Sequence, residues 1–178
     1  MATQILEDDH AKLAELLKRL QQELGEENSA SALPLLDRFW ALLAIHIRAE
    51  HLWLFPAILN ANRQSFGHHG VPAYERVGLL IGQLRSDHNF FMDELGRAAK
   101  TCRQIIAKST TEQGPAEKLQ SILSVVNAVA LRLELHNSLE EEQVYRWPNL
   151  ILSPREQDDL STGMKRELEN LPARFRTE

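Results

Sequence analysis

Two stretches decide the fold: Leu43-Ala-Ile-His46-Ile-Arg-Ala-Glu50-His51-Leu-Trp53-Leu-Phe55-Pro56 and Leu133-Glu-Leu-His136-Asn-Ser-Leu-Glu140-Glu141. Each sets a histidine, then a glutamate four residues on, along a line that is otherwise apolar. Positions i and i+4 share one face of an α-helix. Each stretch therefore predicts a helix whose inward stripe carries a polar pair. Working outward, the first stripe reads Leu36, Phe39, Leu43, His46, Glu50, Trp53. The second reads Leu119, Ile122, Val126, Val129, Leu133, His136, Glu140. Two more stripes carry one histidine each: Leu6, His10, Leu13, Leu17, Leu20, Leu24, and Val77, Ile81, Leu84, His88, Phe91, Leu95. Every step is three or four residues, the inward seam of a bundle. The expected fold is all-α, an up-down-up-down four-helix bundle with a short additional C-terminal helix.

The four long helices are expected over about residues 3–24, 33–62, 72–109 and 115–147. Gly25 suits the left-handed turn after the first. Ser31 and Pro34 mark the start of the second, and Pro56 should bend it. Pro148 should stop the fourth. Ser153, Pro154 and Glu156 open a short fifth helix to about residue 170 with a capping box. We expect residues 1–150 to form the bundle and 151–178 a helix and tail that pack on it or on a partner, with Leu160, Met164, Leu168 and Leu171 as a surface for capping or homodimerisation.

Ligands must share a level as well as a face. His10 lies about 14 residues before the end of its helix, and His46 about 13 after the start of the next. The same count gives about 16 and 16 for His46 and His88, and about 21 and 21 for His88 and His136. An up-down-up-down arrangement brings all four to one layer. Two carboxylates buried in such a layer would be strongly destabilising without compensating positive charge. Divalent cations supply it. Six donors are too many for one four-coordinate zinc and suit two five- or six-coordinate metals with bridging carboxylates. Imidazole with carboxylate fits iron, and also manganese or zinc. The ferritin-type pattern of Glu-x-x-His on two helices occurs once, at Glu7 and His10. The HExxH, phosphate-loop and GxSxG motifs are absent.

Composition narrows the class further. The 178 residues carry a net charge of −5 and no basic run, against nucleic-acid binding. One cysteine, Cys102, allows no intramolecular disulfide and no thiolate cluster. The start of the chain lacks a signal-peptide pattern, and no uncharged apolar run reaches membrane-spanning length. The expectation is a cytoplasmic protein without a membrane partner.

The segments from His46 to Pro56 and from His136 to Glu141 resemble the paired motifs of hemerythrin-like, or HHE cation-binding, domains. Single His10 and His88 fall where that family places its other ligands, and the resemblance covers roughly residues 1–150. It implies a four-helix bundle with a carboxylate-bridged, oxo- or hydroxo-bridged di-iron centre. It also implies a role in carrying or sensing oxygen, sensing iron, or repairing iron–sulfur clusters. Oxygen carriers place a fifth histidine one turn after the first on the third helix, where this chain has Met92. The set of four histidines and two glutamates is closer to the non-carrier and iron–sulfur repair members, although the cysteine-bearing N-terminal segment common in the repair proteins has no counterpart here.

The expected metal ligands are His10, His46, Glu50, His88, His136 and Glu140, with Glu141 the alternative to Glu140. Trp53, Phe55, Phe91 and Met92 are expected to wall the pocket. His51 is expected to face away from it, His68 and His69 to lie on a surface loop, Cys102 to be core, and Tyr145 to pack, with a redox-relevant place near the site as its alternative. Asp9 and Asp87 are candidates to orient ligand imidazoles. The expected function is a non-haem di-iron protein that binds or senses oxygen, nitric oxide or peroxide, rather than an enzyme. The alternatives are a di-iron peroxidase or oxidase, and an iron donor or storage module for cluster repair.

Overall fold

The structure, a computed structural model, describes residues 1–106 and 114–175, and no strand occurs among them. Helix α1 spans Gln4–Gly25, α2 Ser29–Ala49, α4 Tyr74–Ile106 and α5 Pro115–Glu142. A π-helical turn, Glu50–Leu54, joins α2 to α3, Phe55–Leu59. Shorter α6 (Trp147–Ile151) and α7 (Pro154–Leu168) follow. The expected end of the third long helix near residue 109 lies outside the described residues. Helix α1 packs on α2 and α5, and α4 packs on the same two, so the long helices form a helical bundle around a common core.

The seams point inward as the periodicity requires. Leu6, His10, Leu13, Leu17, Leu20 and Leu24 are all buried, as are the stripe residues of α4 and α5. The apolar core falls into two clusters. One holds Leu6, Phe55, Leu84, Tyr145 and Trp147. The other holds Leu13, Phe39, Phe91, Val126 and Leu133. The buried histidines and glutamates lie between them in sequence on every long helix, so the polar layer divides the core.

Several helix ends differ from expectation. Gly25 stays helical, and the left-handed residue is Glu27, φ 55°. The turn closes through Asn28 N–H to the Glu23 carbonyl at 2.9 Å, so the chain reverses within Glu26–Asn28. Asn28, not Ser31, then caps α2 by accepting from the Ser31 N–H, which leaves Pro34 inside the helix. Pro148 does not end α5. Backbone at Gln143 (φ −125°, ψ −69°) breaks it, and Pro148 opens α6 instead. Ser153 and Glu156 cap α7 reciprocally, as expected.

Pro56 acts four residues upstream. It has no N–H to give the Leu52 carbonyl, and its ring crowds that oxygen. The helix widens there, and the Phe55 N–H donates to the Glu50 carbonyl. The extra residue shifts the seam by one: Leu54, Phe55 and Ile58 turn inward, while Trp53 is only half-buried. Trp53 packs against Gly163 of α7, where a side-chain carbon would overlap its ring. Helix α7 thereby sits on α2 and the π turn, with Arg48 paired to Glu167. The stretch Ser29–Leu59 is long and apolar enough to cross a membrane by length and composition, yet half of its most apolar 18-residue window is buried in the bundle and the stretch carries the fully buried Glu50.

Candidate metal centre

The seams bring His10 from α1, His46 from α2, Glu50 from the π turn, His88 from α4, and His136 and Glu140 from α5 into one place. All six are buried, with Glu50 and Glu140 at 0% exposure. Their donor atoms form two groups, His10, His46, Glu50, Glu140 and Glu50, His88, His136, Glu140, each with all atoms within 4.8 Å of one another. Both groups contain both carboxylates, and each carboxylate divides its oxygens. Glu50 Oε1 stands 3.7 Å from His46 Nε2, and Oε2 3.2 Å from His88 Nε2. Glu140 Oε2 stands 3.4 Å from His10 Nε2, and Oε1 3.2 Å from His136 Nε2. The His88 and His136 Nε2 atoms are 3.0 Å apart.

Every inward Nε2 is aimed by what holds the outer Nδ1. His10 Nδ1 meets Glu141 at 2.8 Å, and His46 Nδ1 meets Asp9 at 2.9 Å. His136 Nδ1 meets Asp87 at 3.2 Å, and Arg132 holds that carboxylate from the other side at 2.8 Å. His88 Nδ1 meets His51 Nε2 at 2.9 Å. An imidazole that donates from Nδ1 keeps its Nε2 lone pair free for a cation. Phe91 stands edge-on to His136, and Phe55 stacks on His88 with centroids 6.0 Å apart. Both rings are fully buried and exclude water from that side.

The electrostatics ask for positive charge. Burial opposes a charged imidazole at His46, but Glu50 and Asp9 outweigh it and raise its pKa to about 10. His136 rises against burial too, chiefly through Glu140. Burial would push Glu50 up, yet His46 and His88 hold it well below the usual carboxylate range. Glu50 Oε2 and Glu140 Oε1 are buried without a hydrogen-bond donor. A buried carboxylate oxygen with no donor is costly, and both of these face the His88 and His136 nitrogens. A cation there satisfies the two oxygens and the two facing lone pairs at once. The donor set therefore fits metal.

Residues 1–148 match the family model for the hemerythrin HHE cation-binding domain. The chain belongs to the hemerythrin family. No curated protein and no solved structure matches it. A hemerythrin-like domain binds metal ions, typically iron, and the two His/Glu groups are where this one offers donors.

Against the hemerythrin-like frame, some neighbours of the site were misread in the sequence. His51 does not face away. It is half-buried and bonds to His88, because the wider π turn sets successive residues closer in angle than an α-helix does, leaving His51 near the face of Glu50. Glu140 points inward, while Glu141 turns out to His10 with its side chain 44% exposed. Asp9 and Asp87 do orient imidazoles, but on neighbouring helices rather than beside themselves in sequence. Trp53 does not wall the centre, and Met92 is only partly buried against the apolar cluster beyond it. His68 and His69 are exposed on their loop, and Cys102 is a buried free thiol. Tyr145 takes the alternative place near the site and does not simply pack. Its hydroxyl stands among His10, His46, Glu50 and Glu140. The signal for it is a tyrosine five residues after a ligand glutamate, and the helix break at Gln143 decides that it turns inward.

Proposed function

We propose that this chain is a non-haem di-iron protein that binds or senses a small oxidant: oxygen, nitric oxide or peroxide. His10 and His46 would hold one metal and His88 and His136 the other, with Glu50 and Glu140 shared by both groups. One observation carries the reading: the two donor groups share both carboxylates, and each carboxylate turns one oxygen to each group. Two irons bound there supply redox-active positions open to a small ligand. The chain's own residues set the conditions. Asp9, Asp87, Glu141 and His51 aim the imidazoles, and Phe55 and Phe91 keep the pocket dry. Met92, in place of a fifth histidine, supports the non-carrier type. We read residues 1–150 as an up-down-up-down four-helix unit and 151–178 as an appended helix and tail.

The test is to load the metal-free chain with ferrous iron under anaerobic conditions, count metal per chain, and record absorption before and after oxygen, nitric oxide or peroxide. Two irons per chain and a stoichiometric spectral change support the reading. Fewer than two irons overturns it. Sustained consumption of peroxide with a reductant moves the assignment to a di-iron peroxidase. Transfer of iron to a metal-free acceptor moves it to an iron donor.

A further inference from the structure

We propose that Tyr145 is a fifth protein ligand on one side of the centre, its phenolate oxygen binding the metal held by His10 and His46. The inference rests on the two-metal reading above and makes the two metals unlike. The break at Gln143 turns the chain into a 3-10 turn, Val144–Arg146, which drives Tyr145 into the core at 0% exposure. Thr3 Oγ1 donates to the Tyr145 carbonyl at 2.8 Å, tying that turn to the start of α1. The ring lies stacked on His10 with centroids 5.4 Å apart. The hydroxyl oxygen stands 2.6 Å from Glu50 Oε1, 3.2 Å from His10 Nε2, 3.2 Å from Glu140 Oε2 and 3.4 Å from His46 Nε2.

A phenol donates one proton and accepts at most two hydrogen bonds, and here four polar atoms surround its oxygen. Hydrogen bonding alone does not account for that crowding. Coordination does. Donor atoms about 2.1 Å from one cation and at right angles to each other stand ~3 Å apart. The Tyr145 oxygen keeps roughly that separation from all four donors of its group. On the other side no hydroxyl among the described residues comes to Glu50 Oε2 or Glu140 Oε1, and the walls there are Phe55 and Phe91. Ligation breaks the phenolic O–H bond, forms a metal–oxygen bond and releases one proton to water. No electron is transferred.

The experiment uses the full chain loaded with two irons and oxidised in air. Phenolate bound to ferric iron gives a visible charge-transfer band and, under excitation in that band, resonance Raman modes of the tyrosinate ring. The wild-type chain is expected to show both. Y145F should lose them with two irons still bound. Y74F should keep them, since the Tyr74 hydroxyl donates to the Leu59 carbonyl at 3.1 Å and not to the centre. The chain has two tyrosines, so ring-deuterated tyrosine in Y74F labels Tyr145 alone. A shift of the ring modes then supports ligation even if Y145F does not fold. A chain with two ferric irons and no tyrosinate modes overturns the inference and leaves the two-metal reading standing, as does an undiminished band in Y145F. A wild-type chain holding fewer than two irons removes the two-metal reading itself, and the inference with it.

Discussion

The two halves of the centre are built from the same donor types and are finished differently. On the His10 and His46 side, carboxylates at Asp9 and Glu141 aim the imidazoles, and a phenol closes the group. On the His88 and His136 side, Asp87 and the neutral ring of His51 do the aiming, aromatic carbon forms the wall, and two carboxylate oxygens are left without a donor. One half is closed by a phenol; the other is walled by aromatic carbon. The difference shows that a near-symmetric set of ligands can be made unequal by what stands behind it.

The largest effect should come from removing what the halves share. Glu50→Ala removes a carboxylate common to both donor groups, so metal content is expected to fall from two per chain to one or none; elemental analysis that still finds two would break the comparison at its root. Next comes metal removal. Because only the folded chain holds the site, metal at about a thousand times its dissociation constant stabilises the fold by about 4 kcal/mol. Loaded and metal-free protein melting together would mean no such site. The gap depends on pH with a definite sign. In the metal-free chain His46 has a raised pKa, so its contribution is full below 6.5 and lost as pH climbs toward about 10. Glu50 is depressed, so its contribution holds above 4.5 and fades below. Metal needs the imidazoles neutral. The melting difference between loaded and metal-free protein should therefore widen from pH 5.5 to pH 8, and calorimetry at several pH values reads it directly.

A sharper discrimination uses the outer residues. Asp87→Ala should weaken one metal, the His136 one, and Asp9→Ala the other, each by about 10–100-fold. Equilibrium titration resolving the two sites checks this, and equal loss at both sites in either variant would show that the halves do not act separately. The smallest effect is a control. Gly163→Ala forces Trp53 to move and should lower stability by about 1–3 kcal/mol. Metal content should stay at two, because α7 lies outside the centre. A loss of metal in that variant would tie the π turn and its Glu50 to α7 more tightly than the contacts suggest.

Much of this was readable from spacing. The period of three and four marked four inward seams, and the six donor residues on them are the six the structure gathers. What was not readable shares one cause. Sequence counting assumes an unbroken α-helical turn, and the helix departs from it twice beside the site. At Glu50–Leu54 the missing N–H of Pro56 adds a residue to the turn, so Trp53 leaves the seam and His51 joins the layer. At Gln143 the helix ends, and Tyr145 enters the centre from a direction no helical wheel would show.

The partners of the outer nitrogens were hidden for a different reason. Asp9 serves His46, Asp87 serves His136 and Glu141 serves His10, always across a helix boundary. Neighbouring residues on one helix point apart by about 100°, so an acid beside a histidine in sequence cannot reach it but can reach the histidine of the next helix. Sequence alone determined which histidines and glutamates fall on the inward seams and that they share a layer, because periodicity and helix rise are local properties of the backbone. Tertiary packing decided how the donors are grouped, which acids aim them and where the phenol falls, because those depend on distances between helices that no single helix encodes.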